Sequence, residues 1–232
     1  MVFKRLKQRY RHRQLRTHGI VVDVELISVA YGARSGIWTI FPDVLLPGSV
    51  VYSFGVGNNI EWDLGMIRNH GVELHAFDPT PRSVEWIDQQ SLPDEFHFHP
   101  IGLSDTDGEQ NFYTPTREHK FNFSYYRRGK RGAKMVSCTV NRLGTLLAML
   151  GHKTIDVLKM DIEGGEMDAL PDILSTEHGI GQLLVEFHYN DPNISFKQFT
   201  TIISSLRKRG FCIFHISERG YEFSFIHQSL LE

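Results

Sequence analysis

The densest chemistry in the chain lies in Leu158-Lys159-Met160-Asp161-Ile162-Glu163-Gly164-Gly165-Glu166, where three carboxylates and a lysine follow an apolar run. Charges at the end of a buried strand are costly unless they pair with one another, bind a ligand or hold a metal. A second string, Val185-Glu186-Phe187-His188-Tyr189, has the same form. Glu186 and His188 are two apart and share one face of a strand. A histidine near its ordinary pKa is a natural general base. Asp161, Glu163, Glu186 and His188 are therefore the candidate catalytic residues. An oxygen-rich Mg²⁺ site built from the same four, acidifying a bound hydroxyl, is the variant reading, although no metal is required.

Three further strings suit a nucleoside. In Val50-Val51-Tyr52-Ser53-Phe54-Gly55-Val56-Gly57-Asn58-Asn59 a strand ends in Gly-x-Gly, which turns tightly and lets a ligand approach the backbone. The next helix aims its N-terminus at that ligand. Ile60 stands where the dinucleotide fingerprint needs its third glycine, which argues against a dehydrogenase. No Gly-Lys-Ser or Gly-Lys-Thr follows, so a P-loop is excluded. Asp78, in His75-Ala76-Phe77-Asp78-Pro79, lies 21 residues after Gly57 at the next strand's tip. A carboxylate there accepts hydrogen bonds from ribose hydroxyls. In Ile101-Gly102-Leu103-Ser104-Asp105 an adenine would meet apolar walls, with Asp105 accepting from its amino group. Helix caps and turns account for these aspartates equally well one at a time.

The elements that must position these strings alternate. Strands are expected at 50–54, 73–77, 96–103, 155–160 and 182–187, with further strands at 109–113 and 135–140. Helices are expected over 60–70, with Ile60, Leu64 and Ile67 on one face, over 82–90, and from a cap at Asn141 to Gly151. Ser195 and Gln198 form a capping box for a helix that buries Phe199, Ile202, Ile203 and Leu206. Phe211–Ser217 and Tyr221–His227 flank a turn. The sum is an α/β fold, a doubly wound, mostly parallel seven-stranded sheet with a C-terminal antiparallel hairpin. Such sheets bind ligands at their carboxyl ends near the switch in strand order. Residues 1–44 read as a basic extension and 45–232 as the domain.

Composition sets the outer bounds. The chain has 232 residues, 41% hydrophobic and 22% charged, which excludes disordered, collagen-like and coiled-coil classes. No apolar run approaches the roughly 20 residues of a membrane helix, and the basic start leads into no signal-like stretch. Cys138 and Cys212 form no disulfide framework or metal spacing, so a cytoplasmic, reducing location is expected. The net charge of −2 is uneven, because residues 1–18 carry seven basic groups and no acidic one. That arm is a solvated helix or contacts an anionic surface. A second basic cluster, Arg127, Arg128, Lys130, Arg131 and Lys134, follows Tyr125 and Tyr126 in a long loop over residues 114–134.

Together, Gly-x-Gly, Asp78, Gly102-Leu103-Ser104-Asp105 and Lys159-x-Asp161-x-Glu163-Gly-x-Glu166 resemble the FkbM methyltransferase family over about residues 45–190. The second strand of that family usually ends in glutamate, where this chain has Asp78. The resemblance implies a Rossmann-like methyltransferase fold and an S-adenosylmethionine cofactor, leaving as S-adenosylhomocysteine. It also implies a hydroxyl acceptor on a sugar, glycan or secondary metabolite. Gly55, Val56, Gly57 and Asn58 would then hold the methionine end. Asp78 and Pro79 would take the ribose, and Gly102, Ser104 and Asp105 the adenine edge. Asp161 would sit near the sulfonium, and Glu163, Glu186 or His188 would face the acceptor hydroxyl. RNA ribose methylation is the second reading, drawn from the basic clusters. No Asn-Pro-Pro-Tyr or Asp-Pro-Pro-Tyr string supports base-amine methylation, so nucleic acid is not the expected partner. A non-catalytic nucleoside-binding scaffold is the third reading.

Overall fold

The computed structural model describes residues 2–33, 36–115, 121, 123–124, 134–176 and 178–231. The loop residues Tyr125, Tyr126, Arg127, Arg128, Lys130 and Arg131 lie outside that set. Its spine is a seven-stranded sheet built from β3 (Val50–Phe54), β4 (Glu73–Phe77), β5 (Phe96–His99), β9 (Thr154–Met160), β10 (Gly179–Glu186), β11 (Phe211–Ile216) and β12 (Glu222–His227). The strands lie in the order β11-β12-β10-β9-β3-β4-β5. All neighbours are parallel except β12, which runs against both β10 and β11. The sequence expectation of a mostly parallel sheet with a terminal hairpin is met. Strand order reverses between β3 and β9, where Phe54 lies opposite Met160. A crevice must open beyond these two strand ends, because their connections leave in opposite directions.

The central strands read as continuous apolar runs because both faces are covered. Tyr52, Phe54, Leu158, Met160 and Leu183 fill one core cluster, while Val51, Leu74, Val157 and Leu184 fill the other. The first lies under α4 (Leu143–Leu150), α5 (Glu166–Ser175) and α6 (Phe196–Lys208), and the second under α2 (Glu61–His70) and α3 (Pro81–Ile87). α6 carries the expected capping box between Ser195 and Gln198 and buries Phe199, Ile202, Ile203 and Leu206. α2 is rotated from its expected face: Trp62, Asp63, Gly65, Met66 and Ile67 are buried, and Leu64 only partly. One close neighbour packs against the helix at Gly65. Tyr31 lies within 3.2 Å of where a Cβ on Gly65 would be, and Trp62 and Asp63 turn towards the strand ends.

Residues ahead of the sheet are built into the same core. α1 (Val2–Thr17) buries Leu15 and exposes Arg5, Lys7, Arg9 and Arg13. Its Arg11 stacks on Tyr221 at 3.7 Å. β1 (Val29–Tyr31) pairs with β2 (Trp38–Ile40), and all three β2 residues are buried. β2 is held against the sheet by Gln182. That side chain accepts from Phe41 N at 2.8 Å and donates to Phe41 O at 2.9 Å.

Two local expectations are corrected. Residues 96–103 are not one strand, since β5 ends at His99 and β6 (Gly102–Leu103) belongs to a separate three-stranded sheet. There it joins β7 (Gly108–Tyr113) and β8 (Met135–Asn141), and Pro100 sits at the break. The alternate histidines of 96–103 serve packing. His75 Nδ1 and His99 Nε2 are 3.0 Å apart with their rings stacked, while His97 lies tilted and His152 edge-on against His75. Burial, then the fields of His152, His99 and His97, pull the His75 pKa down to about 3, and burial lowers His99 and His152 as well. The second correction concerns α4, whose N-cap is Arg142 rather than Asn141 and makes no side-chain cap. Asp107, from the preceding turn, supplies the cap from a distance. It accepts from Arg142 N at 2.8 Å and from the Thr145 hydroxyl at 2.9 Å.

The cap gives a direct test by thermal unfolding. Asp107→Ala is expected to cost about 1 kcal/mol, the scale of a lost N-cap, or about 2–4 °C in a chain of this size. Asn141→Ala should stay within about 0.5 kcal/mol. The reverse ranking would place the cap at Asn141.

Candidate functional site

A cavity of about 240 Å³ opens at the carboxyl ends of β3, β4, β9 and β10, the place the strand order dictates. Its floor is the turn after β3. Gly55 has φ +85°, and a Cβ built there would fall 1.8 Å from the carbonyl oxygen of Asp161. Only glycine permits that approach. Gly55 N also donates to Phe77 O at 2.9 Å, and Asp161 N to Phe54 O at 3.1 Å. Three strand ends are thereby tied into one rigid rim. Gly57, with φ +56°, donates its N–H to Asp78 Oδ2 at 2.9 Å.

Asp78 is 5% exposed and lines the cavity. Its Oδ1 accepts from Thr80 N at 3.0 Å and from the Thr80 hydroxyl at 2.6 Å. A carboxylate accepts about four hydrogen bonds, so this fixed group retains capacity towards the cavity. Val56, Asn58, Pro79, Gly102 and Leu103 also line it, with Phe112, Phe121 and Phe123. Ser104 and Asp105 do not. Ser104 is buried with its N–H on Asn141 O, while Asp105 is exposed and accepts from the Ser104 hydroxyl at 3.2 Å. The turn from β6 carries both away from the wall, leaving Gly102 and Leu103 as that string's contribution. Gly102 is packed so closely that a Cβ would lie 2.9 Å from Pro79.

The opposite wall is acidic. Asp161, Glu163, Glu186 and Arg219 line it, and His188 lies behind them. His188 Nδ1 is 3.0 Å from Glu166 Oε1, and its Nε2 is 3.6 Å from Glu163 and 4.0 Å from Asp161. Glu166 is fully buried in the first turn of α5, where its Oε1 also accepts from Ile162 N and Gly164 N at 3.2 Å. It thereby holds the 161–165 turn in shape. That turn contains Glu163 at φ +52°, the single non-glycine residue with positive φ among those described. Strain of this kind persists where the surroundings over-determine the backbone.

The electrostatics change the role open to His188. Burial disfavours the charged ring, but the field of Glu166, its hydrogen bond, Asp161 and Glu163 outweigh that and raise its pKa to about 10. At neutral pH it is an imidazolium, so the ordinary pKa expected from the sequence does not hold. Burial, then Glu186 and Glu163, push Asp161 well above the ordinary carboxylate range. Burial and Glu222 raise Glu186, against the pull of Arg219, which donates to it at 2.8 Å. Asp161, Glu163 and His188 each offer one ligand atom within 4.8 Å of the others, a geometry that could take a cation in place of the imidazolium proton. Glu186 is outside that group.

Sequence reasoning did not single out Trp38, Trp62 and Asp63, which also line the cavity. Asp63 sits one position from an apolar stripe, and Trp38 reaches the cavity through the packing of β2. Periodicity reports neither.

A parallel sheet with this order, with a glycine turn at its switch point and an acidic carboxyl-terminal crevice, is a doubly wound α/β fold whose cavity lies where such sheets take their ligands. The family model for the methyltransferase FkbM domain matches residues 6–213, and the chain belongs to that family. It is 24% identical over 175 residues to the Homo sapiens protein named "Probable methyltransferase-like protein 24", covering 71% of this chain. The chain spans about 42% of that relative's length. Among solved structures, "Complex between the Haloferax volcanii Trm112 methyltransferase activator and the putative methyltransferase" aligns at TM-score 0.39 and 12% identity, over 73% of this chain and 64% of that one. P. horikoshii TYW2 in complex with MeSAdo aligns at TM-score 0.37 and 12% identity, over 96% and 83%.

The charge state of His188 is open to test. A pKa raised above the ordinary 6.5 means that the stability it adds is complete below pH 6.5. It fades as pH rises towards 10. In urea unfolding, His188→Gln should therefore be less stable than the unchanged chain at pH 6, and the gap should narrow at pH 9.5. A gap that is constant across this range would show that His188 is neutral.

Proposed function

We propose that the chain is an S-adenosylmethionine-dependent methyltransferase acting on a hydroxyl oxygen of a sugar, glycan or secondary-metabolite acceptor. The observation that carries the reading is Asp78, a rigid, buried carboxylate at the tip of β4 with capacity left towards the cavity. That is the position from which an α/β sheet takes a ribose hydroxyl. The aromatic and apolar wall of Leu103, Phe112 and Phe123 suits an adenine ring. Asp161 Oδ1 is buried without a hydrogen-bond partner, which suits a neighbouring positive charge. When bound, S-adenosylmethionine supplies a methyl group on a cationic sulfur.

What remains for the protein is alignment and removal of one proton. His188, already protonated, fixes Glu166, Asp161 and Glu163 and does not serve as the base. Arg219 engages Glu186. Glu163, on the cavity wall in a turn braced by Glu166, is the carboxylate we assign to accept the hydroxyl proton. Arg219 and Glu186 orient the acceptor's other hydroxyls. Family membership supports methyl transfer in general; the hydroxyl acceptor rests on this carboxylate-rich wall.

Calorimetric titration with S-adenosylhomocysteine tests the proposal. One-site binding is expected, weakened by about 1–3 kcal/mol in Asp78→Ala, the scale of a lost hydrogen bond to a buried charge. With labelled S-adenosylmethionine, the transferred methyl should survive mild base, as an ether does. Absence of binding, or an Asp78→Ala variant that binds equally well, would refute the cofactor assignment. A base-labile methyl ester would refute the hydroxyl acceptor.

A further inference from the structure

Three side chains on the cavity wall hold hydrogen-bonding capacity that neither the ribose site nor the acceptor side takes up, although the charge of Lys159 also acts through space on Asp161. Lys159, near the end of β9, is 4% exposed. Its ammonium donates to the Ser53 hydroxyl at 3.2 Å and the Gly55 carbonyl at 3.4 Å, both neutral. It lies 5.4 Å from the ring centroid of Trp38 and 5.9 Å from that of Trp62, within cation–π reach. Trp62 is 1% exposed, and its Nε1–H has no acceptor among the described residues. Asp63, also 1% exposed, has an Oδ1 with no donor. Buried groups of this kind cost free energy unless something meets them.

A cation and an N–H donor beside a buried carboxylate form the complement of a zwitterion. We infer that Lys159, Trp62 and Asp63 hold the α-amino-acid head of S-adenosylmethionine, an inference that rests on the cofactor reading above. Lys159 and Trp62 donate to the α-carboxylate, and Asp63 accepts from the α-ammonium. Trp38 covers Lys159 and keeps water away, which strengthens each of these contacts. Gly55 and Gly57 then act by leaving room, and the recognition of charge passes to side chains from β9 and the first turn of α2. The N-terminal segment that carries Trp38 is thereby part of the cofactor site.

The test compares two probes that share the nucleoside and its sulfur. S-adenosylhomocysteine carries the amino-acid head, and 5′-methylthioadenosine lacks it. By calorimetry the unchanged chain is expected to favour the first by about tenfold or more. Trp62→Phe, Asp63→Asn and Lys159→Met should each weaken S-adenosylhomocysteine about 10- to 100-fold, the scale of a hydrogen bond to a charged group. Their affinity for 5′-methylthioadenosine should be unchanged, which also shows that the variants are folded. Equal affinity of the unchanged chain for both probes would overturn the inference while leaving the nucleoside site standing. Equal loss of both probes in the conservative Trp62→Phe and Asp63→Asn variants would overturn it as well. If neither probe binds the unchanged chain, the cofactor reading falls and takes the inference with it.

Discussion

The whole site depends on how closely Gly55 approaches the backbone of Asp161. At this contact β3 and β9 part, and the space beyond them becomes the cavity. The 1.8 Å between an imagined Cβ and the Asp161 carbonyl leaves no room for any other residue. The same contact sets the angle at which the Asp161–Gly165 turn leaves β9. It also sets how the Gly57 amide meets Asp78. Ribose-side and acceptor-side walls are therefore placed by one backbone contact rather than by separate loops.

Around that contact the molecule concentrates negative charge and counters it unevenly. Asp161, Glu163, Glu166, Glu186 and Glu222 gather near one end of the sheet. His188 answers the first three, and Arg219 answers the last two. Charges in so small a volume destabilise one another unless a cation completes the set. The imidazolium supplies part of that charge at neutral pH. The raised pKa of Asp161 marks the place where more positive charge is still favourable. A sulfonium there would relieve it. Preorganised charge of this kind costs no rearrangement during reaction, which is how fixed electrostatics contribute to catalysis.

Much of this was legible in the residues. β3, β4 and β9 announced themselves as strand-like runs closed by glycine or aspartate, and the Ser195–Gln198 box marked its helix without ambiguity. Spacing also placed Asp78 and Asp161 at strand tips, because a strand's end is a local property. What escaped depends on contacts between distant segments. Asp107 caps α4 from 35 positions away, and β6 leaves the main sheet to join β7 and β8. Trp38 and Trp62 enclose Lys159 only once β2 has docked on the sheet. The charge on His188 could not be read either, since three carboxylates from another strand end decide it. Ser104 and Asp105 fall off the cavity wall because the short β6 turns Asp105 to the surface and buries Ser104 elsewhere.

The central claim is that one nucleoside-bearing cofactor occupies the crevice where β3 and β9 diverge. Backbone amide resonances, followed while S-adenosylhomocysteine is added to isotopically labelled protein, test it most directly. The account predicts that the largest shifts fall on Gly55–Asn58, Asp78 and Thr80, Gly102–Leu103 and Asp161–Gly165. Resonances along α1 and α6 should stay in place. Shifts confined to α1, or none at saturating ligand, would contradict it.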